Sequence, residues 1–378
     1  MIKICFVTAI PMTVEAFLVD YIRCLSKDYD ITVVTNTEDT DFLKPYGLNC
    51  NIIPAPIERE ISPIKDIYAL LRLYGIFCKK HFQVVHSVTP KAGLLSMVAS
   101  FLVRVPVRVH TFTGQVWATK KGIKRWFLKN MDRLIVRCAT HILTDSKSQM
   151  EFMIKEKVVQ KEKVGLIGHG SIRGVDIGKF FFDINAKKEI RQRHNIGDDD
   201  FVFLFLGRLN REKGIMDLIE AFKKVANTYR NAHLLIVGPD EENIMDNISK
   251  NPCDVMDKIH YAGFTKSPEK YMSASDCICL PSYREGFGLV IIEAAACGIP
   301  AIGSRIYGIV DAIEEGTTGL FHAPGDVDGL SRHMEWMLTH EKERLLMGKN
   351  ALKRAINLFS MDKMVEDFKA FYRDITGD

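Results

Sequence analysis

Residues 201–214 are FVFLFLGRLNREKG, in which six apolar residues meet a polar loop bounded by two glycines. Six consecutive apolar residues fit a strand covered on both faces, and the pattern of residues 215–227 fits a helix. A strand, a short loop and a helix in this order form one unit of a parallel α/β sheet. The stretch therefore predicts a parallel sheet whose strand-end loop carries cations.

The same alternation of apolar strand and helix continues through the chain. Strands are predicted at residues 2–8, 31–35, 84–87, 107–110, 141–144, 201–207, 233–238, 258–263, 277–281 and 300–303. A glycine-rich interval, 165–183, separates the two sets and precedes a helix around 187–194. We therefore expect an α/β protein with two doubly wound, Rossmann-like domains, 1–175 and 176–360, that face each other across a cleft.

Composition and charge limit the classes of protein to which the chain can belong. Of 378 residues, 47% are hydrophobic and 26% charged, as in soluble proteins with more than one domain. The apolar stretch 94–103 is too short to span a bilayer, and no cleavable signal follows the first strand. Nine cysteines without a Cys-x-x-Cys pair or zinc spacing favour a reducing cytoplasm.

Charge is distributed unevenly along the chain. Residues 1–180 contain 26 Lys and Arg against 16 Asp and Glu, whereas residues 181–378 contain 25 against 31. A basic surface attracts anionic partners through the field of its summed charge. The first half is therefore expected to meet something anionic.

Arg208 and Lys213 lie in the loop after the strand at 201–207. Arg208 stands at the carboxyl end of the strand and Lys213 directly before the helix. Two cations here suit a diphosphate, because a guanidinium can bind phosphate oxygens in pairs and an ammonium is a compact charge. The alternative is a solvated basic loop neutralised by Glu212, and the strand-end position favours the diphosphate.

A second motif, EGFGLVIIE, occupies residues 285–293, with Glu285 and Glu293 at its two ends. Its glycines leave backbone N–H groups open to a ligand, and a helix at 289–297 would direct its positive dipole end towards an anion. Two carboxylates beside an anion site suit a ligand with both phosphate and hydroxyl groups, such as a sugar nucleotide. The alternative is a common glycine turn with two solvated glutamates.

Two aromatic residues are weaker candidates. His110 is expected at the end of the strand at 107–110, where it can donate a hydrogen bond to a ligand or titrate near neutral pH. Phe264 follows the strand at 258–263 and could border a nucleotide base. Each has a structural alternative, a satisfied histidine and a packing aromatic.

Seven basic residues fall within residues 120–137, where Asp132 is the one acid. With the aliphatic and aromatic residues between them, they predict a helix with a basic face and an apolar-aromatic face. Such a helix can lie on an anionic membrane or hold a lipid pyrophosphate, through Lys120, Lys121, Lys124, Arg125 and Trp126. The alternative is a core-facing helix with solvated cations. Nucleic acid is not expected, because no nucleic-acid-binding module is present.

Two acidic runs, residues 39–41 and 198–200, could imitate a metal site. Both fall in polar turns, and no third ligand accompanies the first run. Solvated turns are the favoured interpretation, so no metal site is expected.

The 285–293 motif, the 208–213 loop and HTFTGQVW at 110–117 together resemble the retaining GT-B glycosyltransferases of group 1. The last segment is similar to the branch that builds bacterial capsule and O-antigen repeats. The resemblance implies that Arg208 and Lys213 neutralise the diphosphate of the donor, and that Glu285 and His110 contact its sugar near the reacting centre. Glu293 would bind the ribose. The donor-binding set that it implies is Arg208, Lys213, Phe264, Glu285, Gly286, Phe287, Gly288, Leu289 and Glu293.

The resemblance also implies a function and a location. The enzyme would move a hexose or N-acetylhexosamine, with retention, from a nucleoside diphosphate (UDP being expected) to a polyprenyl-diphosphate-linked sugar. It would be cytoplasmic and peripheral on the inner face of the cell membrane, with a first domain that binds the acceptor and a helix at 361–378 that crosses back onto it. No metal or other cofactor is implied, because the cations act on the diphosphate.

Two alternatives remain from the sequence. A GT-B sugar-nucleotide epimerase would bind the same donor without an acceptor, and a non-catalytic partner subunit would bind a sugar nucleotide without transferring it. A nicotinamide dehydrogenase is disfavoured, because neither half opens with the Gly-x-Gly-x-x-Gly fingerprint.

Overall fold

The computed structural model of the protein describes residues 1–58, 61–250 and 254–377. The chain divides into two compact units, Met1–Gly174 with Asp362–Asp378, and Val175–Met361. Each unit is built on one parallel sheet with helices packed on both of its faces.

In the sheet of the first unit, the order of the strands reverses next to the first strand. Its strands are β1 (Lys3–Val7), β2 (Asp30–Thr35), β3 (Asn51–Pro54), β4 (Val84–Val88), β5 (Val107–Phe112), β6 (His141–Thr144) and β7 (Val164–Leu166). They pair in the order β3-β2-β1-β4-β5-β6-β7, all parallel. Ile4 of β1 lies opposite Ile31 on one side and Val84 on the other. Ligands of such sheets bind beyond the carboxyl ends of the strands.

Two separate cores cover the faces of this sheet. The helices preceding β7 are α1 (Pro11–Phe17), α2 (Val19–Leu25), α3 (Pro63–Lys80), α4 (Pro90–Val103), α5 (Gly122–Cys138) and α6 (Lys147–Lys155). Alternate residues of β1 serve opposite faces: Cys5 and Val7 join the core with α3 to α6, and Ile4 and Phe6 join the core with α1 and α2. A strand buried on both faces must be continuously apolar, which explains the sequence pattern.

The second unit follows the same plan. Its strands are β8 (Phe201–Leu206), β9 (Ala232–Val237), β10 (Ile259–Gly263), β11 (Cys277–Leu280), β12 (Ala301–Ser304) and β13 (Gly319–His322), in the order β10-β9-β8-β11-β12-β13. Its helices are α7 (Ile184–Arg193), α8 (Ile215–Thr228), α9 (Ile244–Lys250), α10 (Pro268–Ser273), α11 (Leu289–Ala296), α12 (Ile309–Ala312), α13 (Val327–Thr339) and α14 (Glu341–Phe359). Phe203 and Phe205 of β8 face one core, and Val202 and Leu204 face the other.

The last helix, α15 (Met361–Thr376), packs in the first unit. The Phe368 ring stacks on Tyr21 with centroids 3.9 Å apart, and the Tyr372 hydroxyl lies 2.7 Å from His86 Nδ1. α15 therefore completes the core that α1 and α2 begin. Short 3-10 helices lie at Lys44–Tyr46, Lys161–Lys163, Arg211–Lys213 and Met256–Lys258.

The α/β class with two parallel sheets is confirmed, and each predicted strand is present. Prediction missed β3, β7 and β13, which are three of the four edge strands of the two sheets. β3 and β13 have four residues and β7 has three, so none of them gives the long apolar run that identified the central strands.

Within the described ranges, no helix combines the length and the apolar character needed to cross a membrane. The eight cysteines placed there are all free thiols.

Candidate active site

The loop after β8 is fixed by its own backbone. Asn210 Oδ1 accepts a hydrogen bond of 3.0 Å from Lys213 N and so caps the 3-10 helix Arg211–Lys213. Gly214 has a φ of 70° and starts α8, and a Cβ there would lie 2.0 Å from the Pro281 carbonyl oxygen. Glycine alone permits this contact, which sets Lys213 beside the loop that follows β11.

Lys213 and Glu285 form a direct ion pair. Lys213 Nζ lies 2.5 Å from Glu285 Oε1, and the Ser282 hydroxyl donates to the same oxygen at 2.9 Å. Both charged side chains are largely removed from solvent, so the pair is screened less than one on the open surface. No hydrogen bond from the described residues reaches Glu285 Oε2, which leaves that oxygen for a ligand hydroxyl.

Arg208 is held by a carboxylate that the sequence did not indicate. Its Nη1 donates to Glu241 Oε1 at 3.0 Å and to Oε2 at 3.1 Å, and Asn210 Nδ2 donates to Oε2 at 2.8 Å. Glu241 follows β9, which neighbours β8 in the sheet. Ser282 and Glu241 belong to no motif, and Asn210 was given no role within the 208–213 loop. Their place shortly after a strand is the signal that would have found them.

The glycine turn before α11 is anchored by its aromatic residue. Phe287 is buried, with its ring centroid 5.3 Å from that of Phe359. Gly288 has a φ of 85°, a conformation that other residues adopt at a cost. A Cβ on Gly308 would lie 2.7 Å from the Gly286 carbonyl oxygen, so backbone packs directly on backbone here. The turn thus offers main-chain groups while its side chain is in the core.

α11 begins at Leu289, as predicted, and its positive dipole end faces this turn. Glu293 lies on the second turn of the helix and is only 5% exposed, whereas Glu285 lies in the preceding loop. Burial, with a contribution from Glu293, raises the pKa of the Cys297 thiol to about 12. The cysteine nearest to this segment is therefore not a thiolate nucleophile at neutral pH.

Three glycines mark the carboxyl ends of adjacent strands. A Cβ on Gly238, after β9, would lie 1.8 Å from the Gly207 carbonyl oxygen, and Gly238 N donates to the Gly263 carbonyl at 2.8 Å. Phe264 follows directly, and 69% of its surface is exposed. An exposed ring beside bare backbone is open to stacking by a planar ligand.

His110 lies in the first unit, inside β5 and not at its end as predicted, because the strand continues to Phe112. Its ring is fully buried, with Nδ1 2.8 Å from Ser87 Oγ. A Cβ on Gly93 of α4 would lie 2.2 Å from His110 Cε1, so the ring packs on bare helix backbone. Ser87 and Gly93 were not identified from the sequence.

Burial also decides the charge of His110. It lowers the pKa of the ring to about 3, and the neighbouring His86 adds to the effect. Nε2 is buried without a hydrogen-bond partner among the described residues. When the Ser87 hydroxyl donates to Nδ1, the neutral ring carries its proton on Nε2.

The predicted basic helix is present as α5. Lys120, just before it, is half-buried, and Trp126 is 66% exposed. We define the α5 patch as the solvent-exposed side chains of Lys121, Ile123, Lys124, Trp126 and Phe127. Cations and large apolar groups therefore share the exposed surface at the start of this helix.

Arg125, like Lys120, was predicted to contact a membrane but lies outside the α5 patch. Its guanidinium lies 4.9 Å from the centroid of the Trp117 ring and 2.9 Å from Glu156 Oε2, and Lys129 Nζ binds the same oxygen at 2.6 Å. Trp117 Nε1 donates to Asp132 at 2.7 Å, and burial raises the pKa of that carboxyl to about 7. Arg125 thus joins α5 to its own neighbours and is not part of the α5 patch.

The acidic runs take part in ordinary contacts. Asp41 pairs with Lys44 at 2.8 Å, and Asp200 Oδ2 lies 3.3 Å from His233 Nε2. No group of three or more His, Cys, Asp or Glu could hold a metal ion in the part of the chain that the structure describes. Charge at the strand ends of the second unit comes instead from Arg208 and Lys213, which can neutralise a diphosphate.

Comparison with known families covers both units. Residues 186–354 match the family described as glycosyl transferases group 1, and residues 13–170 match the glycosyl transferase 4-like domain. The capsular polysaccharide biosynthesis glycosyltransferase CapM of Staphylococcus aureus is 31% identical over 360 residues, which are 94% of this chain and 92% of that protein. The UDP-Gal:alpha-D-GlcNAc-diphosphoundecaprenol alpha-1,3-galactosyltransferase of Escherichia coli is 28% identical over 359 residues, 93% of this chain and 90% of its own.

Solved structures share the fold along the whole chain. Anabaena Alr3699/HepE in complex with UDP-glucose superposes with a TM-score of 0.81 at 18% identity, over 99% of this chain and 100% of that one. Sucrose-phosphate synthase from Thermosynechococcus elongatus gives 0.82 at 20% identity, over 100% of both chains. The predicted GT-B fold is thereby confirmed.

Proposed function

The chain belongs to the group 1 family of glycosyl transferases, and we propose that it transfers a hexose or N-acetylhexosamine from a nucleoside diphosphate sugar, with UDP as nucleotide, to a polyprenyl-diphosphate-linked sugar. The product would be a repeat of a surface polysaccharide. The second unit would bind the donor, and the first unit with α15 the acceptor. The bonded set of Lys213, Glu285 and Ser282, with Arg208 in the same loop as Lys213, is the observation that supports this proposal most directly.

In this proposal, each strand-end group meets one part of the donor. Arg208 and Lys213 bind the diphosphate, and Glu285 Oε2 accepts from hydroxyls of the transferred sugar. Glu293 binds the ribose, and the exposed ring of Phe264 stacks on the base. His110 donates from Nε2 to the sugar. The main-chain groups of the turn at 286–289 lie beside sugar and phosphate.

The transfer would proceed with retention of configuration. The bond from the anomeric carbon to the phosphate oxygen breaks, and the bond to the acceptor oxygen forms on the same face. The acceptor proton moves to the departing phosphate oxygen. The chain's contribution is to position the reactants and to stabilise the developing negative charge on the diphosphate, without a metal ion.

One relative supports a lipid-linked acceptor, and another supports a role in surface polysaccharide synthesis. The Escherichia coli protein is named for transfer to a diphosphoundecaprenol-linked sugar, and the Staphylococcus aureus protein for capsule synthesis. Such an acceptor is embedded in a membrane, so we place this enzyme on the inner face of the cytoplasmic membrane. The α5 patch combines lysines with exposed aromatic groups, as suits an anionic lipid surface.

The proposal is tested with a panel of UDP- and GDP-sugars and a lipid-linked acceptor, by measuring release of the nucleotide and the configuration of the product. Transfer that persists in EDTA is expected from the wild type. Arg208→Ala and Lys213→Ala should each lower kcat/KM roughly a hundredfold or more, with the fold intact. Near-normal turnover in both variants would exclude the diphosphate role, and rapid epimerisation of the donor without acceptor would indicate an epimerase.

A further inference from the structure

A stripe of large apolar side chains runs along the outside of α3. Its buried side is formed by Ala69, Leu73, Ile76 and Phe77, which pack in the core of the first unit. Its opposite side is exposed and nearly as apolar. We define the α3 stripe as Ile64, Ile67, Tyr68, Leu71 and Tyr74, of which Ile64 is 84% exposed.

The stripe follows the periodicity of the helix and not a random scatter of exposed residues. Counted from Ile64, its members fall at positions i, i+3, i+4, i+7 and i+10, so they align along one face over about 15 Å, given a rise of 1.5 Å per residue. Single exposed apolar residues need no explanation, whereas an aligned row on a helix that is already packed on its other side does. Such a row indicates a surface that contacts apolar groups outside the protein.

α3 is held firmly in place. Asp66, in its first turn, binds Lys91 at the start of α4 at 2.6 Å. α4 packs against both α3 and α5, so all three helices cover the same face of the sheet. The α3 stripe and the α5 patch are therefore two parts of one rigid helical layer.

Both exposed groups lie towards the same edge of the sheet. α3 follows β3 and α5 follows β5, and each helix runs back to the next parallel strand, so each begins at the carboxyl edge. Ile64 and Ile67 lie in the first two turns of α3, as Ile123 and Trp126 do in α5. This is the edge beyond which ligands of a parallel sheet bind.

Charge identifies the partner. Within the span of the α3 stripe the exposed cations are Lys65 and Arg72, and the one acid in the helix, Asp66, is engaged by Lys91. In a symmetric contact between two copies of the chain, this surface would bring like charges together. An anionic bilayer instead accepts the cations at its phosphates and the apolar stripe at the boundary of its acyl chains.

We propose that the α3 stripe enters the headgroup and acyl boundary of an anionic bilayer beside the α5 patch, and so holds the carboxyl edge of the first unit at the lipid surface. This inference rests on the proposed function in one respect, the purpose of the contact, which is to give the enzyme access to a lipid-linked sugar. The tyrosines of the stripe suit the interface, because each has an apolar ring and a polar tip.

The experiment is flotation of the full chain with vesicles that contain no polyprenyl lipid. One set is phosphatidylethanolamine with phosphatidylglycerol, and the other is phosphatidylcholine alone. The test variant carries Ile64→Gln, Ile67→Gln and Leu71→Gln. The matched control carries Leu345→Gln, Leu346→Gln and Ile356→Gln, which replace exposed aliphatic residues of α14 in the second unit.

The wild type and the control should float with the anionic vesicles, and the α3 variant should partition at least about tenfold less while it unfolds at an unchanged temperature. Equal flotation of the α3 variant and the wild type would overturn the proposal. So would a wild type that binds no vesicle, that binds only after polyprenyl phosphate is added, or that dimerises through the stripe in solution.

The result separates this inference from the proposed function, because flotation needs no catalysis. A wild type that floats through α3 but transfers no sugar would refute the transferase proposal and leave the membrane contact standing. Transfer by a wild type whose α3 variant floats equally well would refute the membrane contact alone.

Discussion

Lys213 Nζ lies 2.5 Å from Glu285 Oε1, so the cation proposed for the diphosphate and the carboxylate proposed for the sugar are one bonded pair. The pair connects the loop after β8 to the loop after β11. Ser282 donates to the same carboxylate oxygen and so orients it. A donor that contacts one member therefore depends on the position of the other.

This coupling predicts that Lys213→Met and Glu285→Gln are not additive. Each change alone should lower kcat/KM roughly a hundredfold, because each also releases its partner from the ligand-binding geometry. The double variant should lose much less than the product of the two effects. Steady-state kinetics on the four proteins measures the coupling. The exposed pair Lys223 and Glu220 on α8 is the control, and Lys223→Met with Glu220→Gln should stay within about twofold of the wild type. Fully additive losses would show two independent sites.

The close contact between Gly93 and His110 predicts that Gly93→Ala displaces the imidazole ring. The new Cβ would lie 2.2 Å from His110 Cε1, and overpacking of this kind costs about 1–3 kcal/mol. Urea unfolding should show that loss, and kcat should fall with it. Gly75→Ala in α3 is the control, because nothing lies within 4 Å of its Cβ position. Alanine should stabilise that helix by about 0.5–1 kcal/mol. A Gly93→Ala protein as stable and active as the wild type would contradict the packing described for the ring.

Substitutions at Gly214 and Gly298 can distinguish the cost of a steric contact from the cost of backbone strain. Gly214 and Gly298 both have positive φ, but a Cβ on Gly214 would lie 2.0 Å from the Pro281 carbonyl oxygen, and one on Gly298 would have no neighbour within 4 Å. Gly298→Ala should therefore cost about 1 kcal/mol, the strain alone. Gly214→Ala should cost several times more and abolish turnover, because it forces the Lys213 loop away from β11. Equal losses in denaturant unfolding would mean that the contact with Pro281 does not matter.

Burial of His110 and His86 predicts how stability depends on pH. In the fold each ring has its pKa lowered from 6.5 to about 3 by burial. Between pH 3 and pH 6.5 the unfolded chain binds more protons than the folded chain. The contribution of the two rings to the free energy of unfolding is therefore complete above pH 6.5 and is lost as the pH falls towards 3. The expected slope is roughly 1.4 kcal/mol per pH unit for each ring. Asp132, whose pKa is raised to about 7, acts in the opposite direction between pH 4 and 7.

Because of that opposing group, the effect is measured as a difference between proteins. Chemical unfolding of the wild type and of His110→Asn, from pH 7 down to pH 5, should show a smaller loss of stability in the variant. His340→Asn, at an exposed position after α13, provides the control and should follow the wild type. Parallel curves for His110→Asn and the wild type would mean that the ring is not held neutral by the fold.

Much of the fold could be predicted because the information is local. The apolar runs of β1 and β8, the start of α11 at Leu289 and the start of α8 after Gly214 all follow from neighbouring residues. Edge strands such as β3 could not be predicted, because a short strand on the rim needs little apolar character. His110 was assigned to a strand end because the polar residue after it, Thr111, hid the rest of β5, which the neighbouring strands stabilise.

The sequence by itself determined the two α/β units, the cations after β8 and the carboxylates that flank the glycine turn, because each depends on residue type and spacing along the chain. The tertiary structure alone decided which of these groups meet. Glu241 reaches Arg208 and Lys213 reaches Glu285 because parallel pairing brings distant strand ends to one edge. The exposed side of α3 was likewise hidden in the sequence, since an apolar helix shows which face is buried only after its neighbours have packed against it.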